Sequence, residues 1–188
     1  MAGPATWALC LLWAVSAADL PTPDGGPPLG TEVVLPARTV TLAWTHSIER
    51  VRWEESYTLL APTDTGQRCA PARNGALCPQ WARVRGSGAG MEPAPDAVWR
   101  DGGYEWSPPP VALPALRLMH SAYTADYTLC LDGPCRPLRE WVARDGASAD
   151  HAADTADAGA VRLRPCRVGD GGPATEGVRP TPAAKTSG

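Results

Sequence analysis

Hydrophobic and polar positions alternate strictly in two neighbouring stretches. In Val40-Thr-Leu-Ala-Trp-Thr-His-Ser-Ile48, residues Val40, Leu42, Trp44, His46 and Ile48 share one face. In Val51-Arg-Trp-Glu-Glu-Ser-Tyr-Thr-Leu59, Val51, Trp53, Glu55, Tyr57 and Leu59 do the same. A period of two is that of a half-buried strand, and the short Glu49-Arg50 connection predicts a β-hairpin. Further strands are predicted at Trp81 to Arg85, Val111 to Leu118 and Tyr123 to Leu131. Short strands separated by turn residues, with 21 prolines in the chain, predict an all-β fold: a small antiparallel β-sandwich or barrel.

The two ends have a different character. Ala5 to Ala17 is an uncharged apolar run that ends in Val15-Ser16-Ala17, a small-x-small cleavage pattern, and Asp19 onward turns polar. This is the layout of a signal peptide over residues 1–17, too short to span a bilayer comfortably, although no Lys or Arg precedes the apolar run. Residues 18–30 read as a Pro/Gly linker and 31–143 as the β domain. Residues 144–188 are rich in Ala, Asp, Gly, Pro and Thr, a composition that does not repay the entropy of folding, and they read as a disordered C-terminal tail. A brief apolar patch at Val161 and Leu163 is its one candidate for docking.

The hydrophobic fraction of 44% suffices for a core, and 188 residues hold one ordinary domain. Residues 19–143 carry 11 arginines against 14 acidic side chains, a net of -3. Such a surface does not displace the counterions of a nucleic acid. If the leader is removed, five cysteines remain, none spaced C-x-x-C. Cys130 and Cys135 flank the turn Leu-Asp-Gly-Pro, and Cys69 and Cys78 bracket a Pro/Gly/Asn loop; two local disulfides are expected in an oxidising compartment, with Cys166 left over.

Two places could carry chemistry. A two-residue loop at Glu49-Arg50 sets His46 opposite Trp53 and Trp44 opposite Glu55, so that His46 and Glu55 lie diagonally on the apolar face. Ionisable groups there need each other, since an isolated buried charge is costly. The pair reads as an internal His–Glu contact, a ligand pocket, or the heart of a small hydrolase or metal-dependent enzyme. The second place is Arg85-Gly-Ser-Gly-Ala-Gly-Met-Glu-Pro93. Gly86, Gly88 and Gly90 permit positive φ and a backbone anion-binding nest, with Arg83, Arg85 and Glu92 beside it; the alternative is a tight turn or bulge. There is no P-loop lysine, no G-x-S-x-G and no metal-ligand spacing, so neither cofactor nor metal is expected.

Taken in order, Trp44-Thr-His-Ser-Ile-Glu49, Trp53-Glu-Glu55, Gly86-Ser-Gly-Ala-Gly-Met-Glu-Pro93 with Asp96, Tyr127-Thr-Leu-Cys130 and Cys135-Arg-Pro-Leu138 resemble the bacterial domain of unknown function family 1850. The resemblance runs from about Val40 to Trp141. It implies a small exported, periplasmic protein, often encoded beside the fused permease of TRAP-type transporters and their solute-binding protein. One of these two is then the expected partner. It implies no established activity; an accessory or small-molecule-binding domain, an enzyme on His46 and Glu55, and a structural or protein-interaction domain remain the three readings.

Overall fold

The computed structural model describes residues 6–14, 32–46, 48–86, 94–120, 125–142 and 159–168. Eleven strands and one short helix, α1 (Leu138–Val142), make up its regular structure. One sheet has seven strands: β3 (Thr39–Thr45), β4 (Arg52–Leu60), β5 (Ala76–Arg85), β6 (Val98–Arg100), β7 (Gly103–Trp106), β9 (Thr128–Leu131) and β10 (Cys135–Pro137). Its order is β10-β9-β3-β4-β5-β7-β6. The second has four: β1 (Thr6–Ala14), β2 (Glu32–Leu35), β8 (Leu116–His120) and β11 (Gly159–Val168), in the order β2-β1-β11-β8. All strand pairings among the described residues are antiparallel.

The core lies between the sheets. Leu9, Leu11, Val33, Leu35, Leu118, Val161 and Leu163 of the smaller sheet bury against Val40, Leu42, Tyr57, Leu59, Leu77, Leu129 and Leu131 of the larger. Alternate positions along each strand supply these side chains, which is the packing of a sandwich. The expected all-β sandwich is therefore found, with the hairpin of β3 and β4 at its centre. The strand expected from Val111 to Leu118 begins only at Leu116, because 107–112 holds Pro108-Pro109-Pro110, which lack ladder N–H groups. Leu113 joins by a single bridge to Leu77.

Both chain ends depart from what composition predicted. The apolar run expected as a leader is folded as β1, with nine residues paired to β11 on one side and four to β2 on the other. It has no polar face because Ala8, Cys10 and Leu12 are buried as well as Leu9 and Leu11. Gly159–Val168, placed by composition in the disordered tail, is β11, with Val161 and Leu163 at the centre of the core. The alternation with Arg162 and Arg164 is short and set among Ala, Asp and Gly, and its partner strand lies at the far end of the chain. The remainder of both terminal stretches, and the 18–30 linker, fall outside the described residues.

Three disulfides join Cys69 to Cys78, Cys130 to Cys135 and Cys10 to Cys166. The first two are the expected local pairs. The third uses the cysteine expected to be left over, and its partner lies in β1. A link across a sequence separation of 156 removes about 5 kcal/mol of unfolded-chain entropy in the loop-closure picture, against about 2–3 kcal/mol for each local one. Three disulfides fit a chain that matures in an oxidising compartment. Among the described residues no helix is long and apolar enough to cross a membrane.

Candidate functional site

The central hairpin turns more widely than expected. The His46 N–H donates to the Val51 carbonyl at 2.9 Å and the Arg50 N–H to the His46 carbonyl at 2.9 Å, so four residues form the connection. A two-residue hairpin turn favours Gly, Asn or Asp at its positive-φ positions. Glu49-Arg50 is a poor fit, and among the described residues of the longer turn only Arg50 has a positive φ, 54°. The even loop length keeps the expected faces but moves the register: Trp44 now faces Trp53 and Leu42 faces Glu55. His46 stands four residues beyond the partner of Glu55, roughly 13 Å along the strand. The two do not meet. His46 instead accepts the Glu49 N–H on Nδ1 at 3.3 Å and stiffens the turn.

Glu55 finds other partners. Its Oε1 accepts from the Trp53 indole Nε1 at 3.0 Å and its Oε2 accepts a short hydrogen bond from the Tyr57 hydroxyl. All three sit on alternate positions of β4, so the strand itself places two donors on either side of the carboxylate. Burial first, then the hydrogen bond to Glu55 and its negative charge, push the Tyr57 phenol far above its ordinary pKa, so it remains a donor. Beyond Trp53 a row of rings crosses the sheet: Trp44 lies 5.8 Å from Trp53 and 6.2 Å from Tyr127, and Trp106 meets Trp53 edge-on at 5.5 Å. These are packing geometries for aromatic pairs.

On the other side, Glu55 and Tyr57 open onto a cleft of about 290 Å³, walled by Pro79, Trp81, Pro108, Pro109, Val111 and Leu113. Sequence reasoning found only Glu55 of these. The cleft exists because β5 carries a bulge: Ser56 pairs with Trp81 and Tyr57 with Pro79, leaving Gln80 extra. Pro79 cannot donate to a ladder, and the bulge is where a strand tolerates that. Arg68 satisfies carbonyls around the bulge. Its guanidinium donates to the carbonyls of Pro79 at 2.9 Å and Gln80 at 3.0 Å, and to that of Pro108 on the facing wall. The adjacent Cys69 is fixed to Cys78, so Arg68 is held at the strand it clamps. Only its position next to a disulfide-forming cysteine could have flagged Arg68 from sequence.

The glycine-rich stretch contributes less. Gly86 has φ of 78° and its N–H is spent on the Gly102 carbonyl at 3.0 Å, as a turn residue. Gly88, Gly90 and Glu92 lie outside the described residues. Arg85 donates to the Asp101 carbonyl at 2.8 Å and lies 4.0 Å from Glu54, while Arg83 pairs with Glu105 at 2.7 Å. Both arginines thus have partners within the fold, Arg83 on β7 and Arg85 on β4 and the turn at Asp101.

A disulfide-stapled antiparallel sandwich with a carboxylate-floored lateral cleft is the class of protein that these features define. A family model described as a domain of unknown function, DUF1850, matches residues 40–138, and the chain belongs to that family. No curated protein and no solved structure matches the chain. All eight residues that line the cleft fall within the matched span.

Proposed function

We propose that this chain is an exported, periplasmic accessory domain that binds a small molecule in the Glu55 cleft. The observation that carries the reading is a carboxylate at an apolar wall whose hydrogen-bond partners, Trp53 and Tyr57, are both neutral. A carboxylate so placed has lone pairs to spare and no cation paired with it among the described residues, and it selects a ligand bearing an ammonium or another strong donor. Trp81, Tyr57 and the prolines supply apolar contact for the rest of the molecule. The volume lies at the lower edge of the range of small-molecule sites, so the ligand is compact. An enzyme built on His46 and Glu55 loses its geometry, since the two side chains stand apart.

Association with a TRAP-type uptake system, through its permease or solute-binding protein, belongs to this proposal and is supported by the family resemblance. The edge strand β6 offers a surface for such a partner, with Val98 57% and Trp99 54% exposed. Thermal unfolding against small amines, amino acids and C4-dicarboxylates tests the ligand. At 100 times its dissociation constant a ligand stabilises by about 2.7 kcal/mol. The expected result is a shift of several degrees with an amine-bearing compound, lost in both Glu55→Gln and Trp81→Ala. A shift with dicarboxylates alone, or one indifferent to both substitutions, overturns the assignment. Unchanged solute uptake after deletion of the protein removes the transport role.

A further inference from the structure

A leader that is cut away and a strand that is buried are different fates for the same residues. We infer that the slot between β2 and β11 is a strand-receiving site whose occupant in the mature protein is residues 6–14, locked there by Cys10–Cys166. This inference is independent of what the cleft binds.

Four observations carry it. From Ala8 to Leu12 every residue is at most 2% exposed, so both faces of β1 are covered. An export leader presents its apolar side chains to the membrane and then leaves; it needs no complementary surface on the folded domain. Here the surface exists: Leu9 and Leu11 sit inside the main core, and the Trp7 ring packs on its rim under the Arg167 guanidinium, 5.4 Å away. Second, β1 is an inner strand. Without it β2 has no neighbour, and β11 keeps only its pairing with β8. An unpaired inner edge is an open template for another strand.

The third observation is at Gly75, whose Cα lies so close to Trp7 and Pro165 that a Cβ there would stand 2.8 Å and 2.7 Å from them. The main body of the fold is thus shaped to the strand. Fourth, the cysteines balance only if Cys10 is kept. The six form three disulfides; removal of residues 1–17 leaves five and Cys166 without its partner. Cys10 and Cys166 also form, with Ala8, a small apolar cluster of their own on the outer face of the sheet.

The test uses the full chain with its own N-terminus, recovered from the oxidising compartment and digested without reduction. Mass spectrometry is expected to find the Cys10 peptide linked to the Cys166 peptide. A chain cut after Ala17 whose N-terminal peptide stays disulfide-linked equally supports the inference, because the strand is retained. A mature chain that begins at residue 18 without that peptide overturns it, as does a full-length chain with Cys166 as a free thiol. Thermal unfolding gives a second reading. Cys10→Ser and Cys166→Ser are expected to lower the midpoint by the same amount, with no further loss in the double variant. A Cys10→Ser protein with an unchanged midpoint overturns the inference too.

Discussion

Gly75→Ala probes the junction between the two sheets with a single methyl group. Gly75 ends the turn that leads into β5, with its N–H donating to the Ala72 carbonyl at 2.9 Å and φ at +74°. An added Cβ meets Pro165 Cβ at 2.7 Å, the Trp7 ring at 2.8 Å and the Leu60 carbonyl oxygen at 3.1 Å. Two costs and one gain follow. The left-handed backbone costs a non-glycine residue about 1–2 kcal/mol. Forcing a methyl against a well-packed ring and proline costs about 1–3 kcal/mol more. Fewer unfolded conformations return about 0.4–1 kcal/mol. The net destabilisation is about 3 kcal/mol, or roughly 6–12 °C in the unfolding midpoint of a domain this size.

Gly66→Ala is the control. Its φ of +71° imposes the same backbone strain, but nothing lies within 4 Å of its would-be Cβ. It is expected to cost no more than about 1.5 kcal/mol, since the strain of about 1–2 kcal/mol is offset by the same unfolded-state gain. Urea and thermal unfolding of the oxidised protein measure both. The difference between the two variants, about 1–3 kcal/mol, is the close approach itself. Trp7→Ala removes one of the colliding groups, so Gly75→Ala is expected to cost less in that background, a coupling readable from a double-mutant cycle. Equal losses at Gly75 and Gly66 refute the docking of β1 and β11 over this turn.

Two further outcomes are expected. The carboxyls of Asp132 and Asp64 both titrate below the ordinary range. Burial raises Asp132, but hydrogen bonds from Thr39 and the Arg38 N–H, with the Arg38 charge, outweigh it; Asp64 is held down chiefly by the Ala61 N–H and then by Arg38. A depressed folded pKa contributes stability that is present above the unfolded value and lost as pH falls through the folded one. Urea midpoints are therefore flat from neutral pH to about 4 and fall below it, less steeply in Asp132→Asn, which keeps the left-handed backbone that Asp132 adopts; a fall of equal steepness in that variant contradicts the assignment. Arg68→Ala leaves three carbonyls to water and is expected to cost about 1–2 kcal/mol. It should also speed hydrogen exchange at the Leu113 N–H, which bonds the Leu77 carbonyl at 2.9 Å; unchanged exchange there removes Arg68 as the clamp of the cleft.

What the sequence reveals depends on how many faces of a strand are buried. β3 and β4 turn Val40, Leu42, Tyr57 and Leu59 of the main core to one face, so their alternation can be read directly. Even there the face was legible and the register was not, since the turn chose four residues over two and carried His46 away from Glu55. β1 is covered on both faces and so reads as an unbroken apolar run, which is also how an export leader reads. β11 alternates Val161 and Leu163 with Arg162 and Arg164, but in a stretch whose neighbours are Ala, Asp and Gly. Its partner is met only after the chain has crossed the whole domain. The cleft depends on a bulge at Gln80 and on prolines that read as loop, features with no periodic signature.

The family match and the two sheets divide the molecule along a physical line. Residues 40–138 contain the whole seven-stranded sheet, apart from Thr39 at the start of β3, and every wall of the cleft. They contribute only β8 to the smaller sheet. On its own that span would leave Val40, Leu42, Leu59, Leu77 and Leu129 facing water, each a side chain worth about 1.5–3 kcal/mol when buried. The cover comes from β1, β2 and β11, all outside the matched residues, with β1 tied to β11 by Cys10–Cys166. The site therefore belongs to the family domain, while its stability rests on both ends of this chain. A perturbation of β1 or β11 should lower the unfolding midpoint and leave the shape of the Glu55 cleft intact, whereas Arg68→Ala should loosen the cleft at small cost to the core.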